Sequence, residues 1–231
     1  MTEFLAAVAA FLVAHVVPPA PPVRSRLIAW LGQRTYLAGY SLVSLALMVW
    51  IVLAAGRAPY LPLWEPAAWQ ALVPLLVMPF AAWLVVAGLA EPNALSISLR
   101  SGCPDANLGP TAGITRHPVL WGFVLWACSH IPPNGDVVSL IMFGGMALLA
   151  TAGLAVADRR ARRRLGDKQW HQLANRTSVT PFVALIAGRA RIQISGLLVL
   201  STAAALAAYL WFLLDGHERL IGLDPLARLG G

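Results

Sequence analysis

Charge is what this chain has least of. Only 12% of its 231 residues are Asp, Glu, Lys or Arg, against 58% hydrophobic ones and a mean hydropathy of +0.70. Soluble globular domains carry about a quarter charged residues, so that class is excluded. Cysteine is scarce as well. Cys103, in a connecting segment, and Cys128, inside an apolar run, make neither a disulfide framework nor a CxxC pair, and both are read as unpaired thiols. No CxxCH occurs, which excludes covalently attached haem. Internal repeats and low-complexity tracts are also missing, and no boundary splits off a second domain. What is present is an all-α, polytopic membrane helical bundle, read as one domain over residues 1–231.

Apolar runs and breakers predict about six transmembrane helices, near residues 2–17, 36–56, 69–91, 117–132, 137–157 and 195–214. The first and fourth are short for a span. The proline cluster at 18–22, Arg57-Ala-Pro-Tyr-Leu-Pro, Glu91-Pro92 and Ile131-Pro-Pro-Asn-Gly-Asp136 separate them. The last connection is short enough to make the fourth and fifth helices antiparallel neighbours. Pro74 and Pro79 predict a kink in the third. Phe4 to Val17 lacks a basic leader and a clear cleavage site, so it is expected to be a first span and not a signal peptide.

Lys and Arg are unevenly shared among the connections: 3 in residues 18–35, 2 in 92–117 and 9 in 158–194, against 1 in 57–68, none in 131–136 and 2 after 215. The positive-inside rule then predicts those three segments to be cytoplasmic and both termini outside. The net charge of +7 follows from this topology and from anionic membrane lipid. Nucleic acid is not an expected partner, because no recognition fold accompanies the charge.

Histidine inside a bilayer is costly and marks candidate chemistry. His15 lies in Phe11-Leu-Val-Ala-His-Val-Val, and His130 near the far end of the fourth apolar run. Either could cap a carbonyl or bridge helices; together they suggest axial ligation of a non-covalent haem held between spans. His117 has another setting. Arg116-His117-Pro118 opens the fourth helix, where proline suits the first turn and unpaired N–H groups favour an anion such as a phosphate, a carboxylate or a haem propionate. Asp158 closes the fifth helix, beside Arg159 and its neighbours, and is read as pairing with them or with an arginine of another span. The basic stretch after it also suits lipid phosphate, with Trp170 at the membrane surface.

As a set, Thr115-Arg-His-Pro-Val-Leu-Trp-Gly-Phe-Val-Leu-Trp-Ala-Cys-Ser-His130, Asn134-Gly-Asp136, Phe143-Gly-Gly, Asp158-Arg-Arg, Gly166, Trp170 and Thr177-Ser-x-x-Pro-Phe182 resemble the NnrU family of bacterial membrane proteins. His15 and Arg34-Thr-Tyr36 extend the likeness to most of the chain up to about residue 190. The resemblance implies an integral protein of a bacterial inner membrane, associated with nitric oxide and denitrification metabolism. It also implies kinship with a haem b enzyme, the plant and cyanobacterial 15-cis-zeta-carotene isomerase, whose axial histidines match His15 and His130. That enzyme has a cysteine three residues before the second histidine. Here Ala127 stands at that place and Cys128 follows it, about 100° around the helix. A ligand switch, and with it carotenoid cis-trans isomerisation, is weakened as an expectation, whereas bis-histidine haem is not. Depth in the predicted topology favours His117 as the partner of His15, while the motif favours His130; both pairings are open at this point.

Two further readings use the same segments. Arg-His-Pro opening a membrane helix before an acidic and basic cytoplasmic end is similar to membrane methyltransferases that bind S-adenosylmethionine, although Ala157-Asp158 replaces the paired glutamates expected there. A non-catalytic assembly factor for a nitrogen-oxide reductase, or a protein with an electron-transfer partner, fits the family association equally well. The preferred expectation is a haem b-binding NnrU-type protein with His15 and His130 as iron ligands, Arg116 and His117 as an anion or propionate contact, and Asp158 as an ion-pair partner.

Overall fold

In the computed structural model, residues 1–100 and 108–227 are described; Cys103 lies outside them. They contain eleven α-helices and one π-helical turn: α1 (Thr2–Val16), α2 (Pro21–Leu31), α3 (Gln33–Arg57), α4 (Ala68–Ala90), α5 (Pro110–Ile114), α6 (Pro118–His130), α7 (Val137–Leu165), α8 (Asp167–Ala174), α9 (Val183–Ile186), α10 (Gly196–Trp211), the π turn (Phe212–Gly216) and α11 (His217–Ile221). Four segments are long and apolar enough to cross a membrane: α3, α4, α7 and the continuous run Gly196–Ile221. A fifth arises if α1 and α2, bent by 80° at their junction, form one broken span. The 13-residue α6 is only about 20 Å long, short of the roughly 30 Å hydrocarbon layer. About six transmembrane helices were expected from the apolar runs; four to five candidate spans are present, and the two read as short, α1 and α6, do not span alone.

The differences from the sequence-based boundaries have local causes. Helix α2 occupies a segment read as a connection; Pro21 and Pro22 fit its first turn, where a missing N–H removes nothing. Helix α7 runs past residue 157 to Leu165, because arginine is a good helix former and its charge suits a helix C-terminus. Gly166, with φ of +75°, then supplies the left-handed residue between α7 and α8. Helix α4 continues through Pro74 and Pro79. Pro79 cannot donate to Leu75 O, and Tyr209 Oη donates to that carbonyl instead at 3.0 Å.

The chain forms two compact units, Met1–Trp64 with Asp136–Met142, and Glu65–Gly135 with Phe143–Gly231. In the first, Phe4, Ala7 and Phe11 make one buried stripe on α1, which packs on α3. An ion pair of 2.8 Å between Glu3 and Arg57 joins the start of α1 to the end of α3, so the two run antiparallel. Tyr36 Oη donates to Pro18 O at 3.2 Å, and Pro62 bridges Asp136.

In the second unit the main contact is α4 against α6, with α10 on α4. Membrane helices gain little from hydrophobic expulsion against one another and rely on close approach of small residues. A Cβ on Gly122 would lie 2.8 Å from Ala81 O and 2.6 Å from Val85 Cγ2; one on Gly88 would meet Pro118 at 2.8 Å. Trp83 Nε1 donates to Thr202 Oγ1 at 2.8 Å, tying α4 to α10. Helices α6 and α7 run antiparallel, since His130 stacks on Phe143, Leu120 lies against Gly153, and Arg116 meets Asp158.

Candidate functional site

Helix α6 carries a histidine at each end, and the second unit surrounds the two in opposite ways. At the start, His117 is the residue preceding the first helical turn and Pro118 fills that turn. Arg116 is 8% exposed and His117 is fully buried. The anion that meets this end is the chain's own Asp158: Arg116 Nη1 donates to Oδ2 at 2.6 Å and His117 Nε2 lies 3.1 Å from Oδ1. Asp158 thus holds an arginine brought by another helix, one of the two partners its position in the sequence allowed.

The remaining contacts fix the protonation pattern. Arg116 Nε donates to Thr177 Oγ1 at 2.9 Å and Nη2 to Ala174 O at 3.1 Å, so all three of its nitrogens are engaged within the protein. A carboxylate paired with a guanidinium is ionised and only accepts; His117 Nε2 must therefore carry the proton. In the neutral ring Nδ1 is then the acceptor, and Ser96 Oγ, at 2.9 Å, donates to it. Both imidazole nitrogens are used.

This end is laced further. Asn93 Nδ2 donates to Arg116 O at 3.0 Å, Arg116 N to Ser178 O at 2.7 Å, Thr115 Oγ1 to Val179 O at 2.9 Å, and Trp121 Nε1 to the same Val179 O at 2.8 Å. Phe182, with φ of +66°, is held by its N–H on Ile114 O at 2.7 Å. The guanidinium of Arg116 also lies over the ring of Trp170, 5.3 Å from its centre. Glu91, which is 1% exposed, accepts from Thr111 N at 2.8 Å and from Thr111 Oγ1 at 2.7 Å, closing the start of α5.

At the other end of α6, His130 has aromatic company: the Phe143 ring stacks on it at 5.1 Å and Trp126 stands 5.8 Å away. Its Nδ1 meets Trp126 O at 2.7 Å. A carbonyl only accepts, so Nδ1 carries the hydrogen, and Nε2 holds a lone pair with no partner among the described residues. His15, in the first unit, repeats this posture: Nδ1 donates to Phe11 O at 2.8 Å and the Phe11 ring stacks on it at 4.0 Å. Neutral imidazole with a carbonyl-anchored Nδ1–H and an open Nε2 is the form in which histidine binds metal or haem iron. The donor set therefore fits an axial haem ligand at each position. Among the described residues no three His, Cys, Asp or Glu side chains converge as a metal site. Cys128 is an exposed free thiol.

The structure thus brings Arg116, His117 and Asp158 together and leaves His130 apart from them. Ser96, Asn93 and Glu91 were missed by the sequence reading, which had no motif to flag them. His217 was also missed; its Nδ1 meets Leu223 O at 2.6 Å, at the end of a π turn.

A family model described as NnrU protein matches residues 3–225. The chain belongs to the NnrU family. Among curated proteins it is similar to the chloroplastic 15-cis-zeta-carotene isomerases of Zea mays, 37% identical over 79 residues, and of Arabidopsis thaliana, 34% identical over 76. These matches cover 34% and 33% of this NnrU protein, and 21% and 20% of the relatives' own length. No solved structure matches it.

Proposed function

We propose that this NnrU-family membrane protein binds haem b without a covalent link, with His130 offering Nε2 to the iron and His15 as the second ligand on the family resemblance alone. The observation that carries the reading is the posture of the His130 ring, Nδ1 tied to a helical carbonyl and Nε2 open. His117 was the other candidate partner for His15, and with both nitrogens engaged by Ser96 and Asp158 it has no lone pair left for iron. When bound, haem b would supply a redox-active centre. This chain's residues orient the imidazoles through the Phe11 and Trp126 carbonyls and shield them with Phe11, Phe143 and Trp126. Arg116, His117 and Asp158 take the part of an internal lock: an outside anion, a propionate included, has to compete with Asp158 for Arg116.

A bacterial inner membrane as the setting rests on the family resemblance; cytoplasmic basic segments and both termini outside rest on the charge bias of the connections and require α1–α2 and α6 each to complete a crossing. A role in nitrogen-oxide metabolism, with an electron-transfer or reductase partner, rests on the family resemblance. A second reading, cis-trans isomerisation of a carotenoid, is favoured by the names of the similar plant proteins.

Purification in mild detergent and a reduced-minus-oxidised spectrum test the haem reading. The expected result is a b-type Soret and α band, weakened in His15→Ala and lost in His130→Ala. A folded, colourless wild-type protein overturns it. Incubating membranes with a poly-cis carotene and following the isomers by chromatography tests the second reading, which fails if the substrate is unchanged.

A further inference from the structure

The C-terminal end of α7 carries five arginines in six residues, Arg159 to Arg164, and they do not all serve the same purpose. Arg164 turns inward and donates to Ala94 O. Arg162 is held at 2.5 Å by Asp167 and lies over the Trp170 ring, 5.5 Å from its centre. Arg159 donates through Nε to Ala155 O at 3.2 Å, its terminal nitrogens have no partner among the described residues, and neither does Arg163.

Arg159, Arg162 and Arg163 stand at i, i+3 and i+4, so they share one face of the helix. With Asp167 they line an open depression of about 330 Å³. Three guanidinium groups face one carboxylate there. Helix-end carbonyls offset part of that excess, and an incoming anion offsets the rest. Trp170 does not line the depression but touches it through Arg162, whose guanidinium lies over its ring, and its Nε1–H is buried with no acceptor among the described residues. A donor left unpaired in this way is uncommon and points to a missing polar partner.

We propose that this depression binds the phosphate of an anionic membrane phospholipid. Guanidinium forks match phosphate oxygens, and α7 is a candidate membrane span whose basic end falls where headgroups lie. The site is independent of haem. Phosphate chemistry alone would also admit a soluble phosphate ester. Position decides for the lipid: the depression sits at the end of an apolar helix, next to a tryptophan, the residue type that favours the membrane interface.

The test uses the full chain in neutral detergent and measures binding of a short-chain phosphatidylglycerol by native mass spectrometry, with phosphatidylcholine as the zwitterionic comparison. The double variant Arg159→Gln/Arg163→Gln is expected to weaken phosphatidylglycerol binding by about tenfold or more. The charge-matched variant Arg24→Gln/Arg26→Gln, on α2, is expected to leave it unchanged. Equal losses in the two variants, or no preference over phosphatidylcholine, overturn the site. Displacement of the lipid by an equal concentration of glycerol phosphate overturns the lipid as its source. Thermal unfolding of both variants, expected to match the wild type, separates lost binding from lost folding.

Discussion

The two ends of α6 place the same side chain in two kinds of surroundings, and the contrast separates a structural histidine from the one proposed as a ligand. His117 has a hydroxyl on one nitrogen and a carboxylate on the other, and it is fully buried. His130 has a carbonyl on one nitrogen, aromatic rings around it, and an open second nitrogen. A histidine that spends both nitrogens on neighbours holds the fold together. One that spends only Nδ1 on a carbonyl keeps Nε2 available, as the proposed ligand role requires.

The largest effect is expected where the first arrangement is broken. Asp158→Ala leaves Arg116 and His117 buried without their acceptor and should destabilise the protein by about 3–5 kcal/mol, read as a loss of folded protein on heating in detergent. Ser96→Ala removes a single neutral hydrogen bond and should lose only about 1 kcal/mol. If the two variants melt alike, Asp158 is not the centre of the lock.

Next comes the close contact that holds α6 on α4. Gly122→Ala introduces a methyl group 2.8 Å from Ala81 O and 2.6 Å from Val85. Backbone cannot move aside as a flexible side chain can, so a loss of about 1–3 kcal/mol is expected in the same melting assay. Unchanged stability would show that the two helices have slack.

At the other end of α6 the effect on stability should be smaller. His130→Ala removes a stacked pair worth about 0.5–1.5 kcal/mol, while abolishing the proposed haem signal. Loss of folding comparable to Asp158→Ala would erase the contrast between the two ends.

The smallest effect belongs to Asp167, fully exposed beside Arg162, whose hydrogen bond and charge hold the carboxyl below its ordinary value of 3.8. A depressed carboxyl stabilises the folded form above its unfolded value and loses that contribution only as pH falls through the lower folded value. The difference in melting temperature between the wild type and Asp167→Asn should therefore be small and stay constant from about pH 7 to about pH 5. Divergence within that window would mean that the pair reaches deeper into the fold than its exposure allows.

The class of fold was legible from composition, because long apolar runs with few charges have only helices available in a bilayer. So was the pairing of Asp158 with an arginine, either a neighbour such as Arg159 or one from another span, since a lone acid at a basic helix end needs a cation; that the arginine is Arg116 was not. What decided between the options was tertiary: Thr177 and Ala174 hold the guanidinium from a third segment, and no periodicity announces that. Ser96 was illegible for the same reason. A serine among Pro92-Asn-Ala-Leu-Ser-Ile-Ser98 looks like loop polarity until the fold places it on His117. Helix α2 was hidden by its prolines, which break a helix in its interior but suit its first turn. Cys128 was legible in type and uninformative in role.

The most direct measurement is a paired spectrum of His117→Gln and His130→Gln, with haem absorbance expressed per folded chain. The His130 variant is expected to fold and lose the b-type bands, while the His117 variant yields less folded protein whose bands per chain match the wild type. Bands that persist in the His130 variant and vanish from folded His117 variant would contradict this expectation.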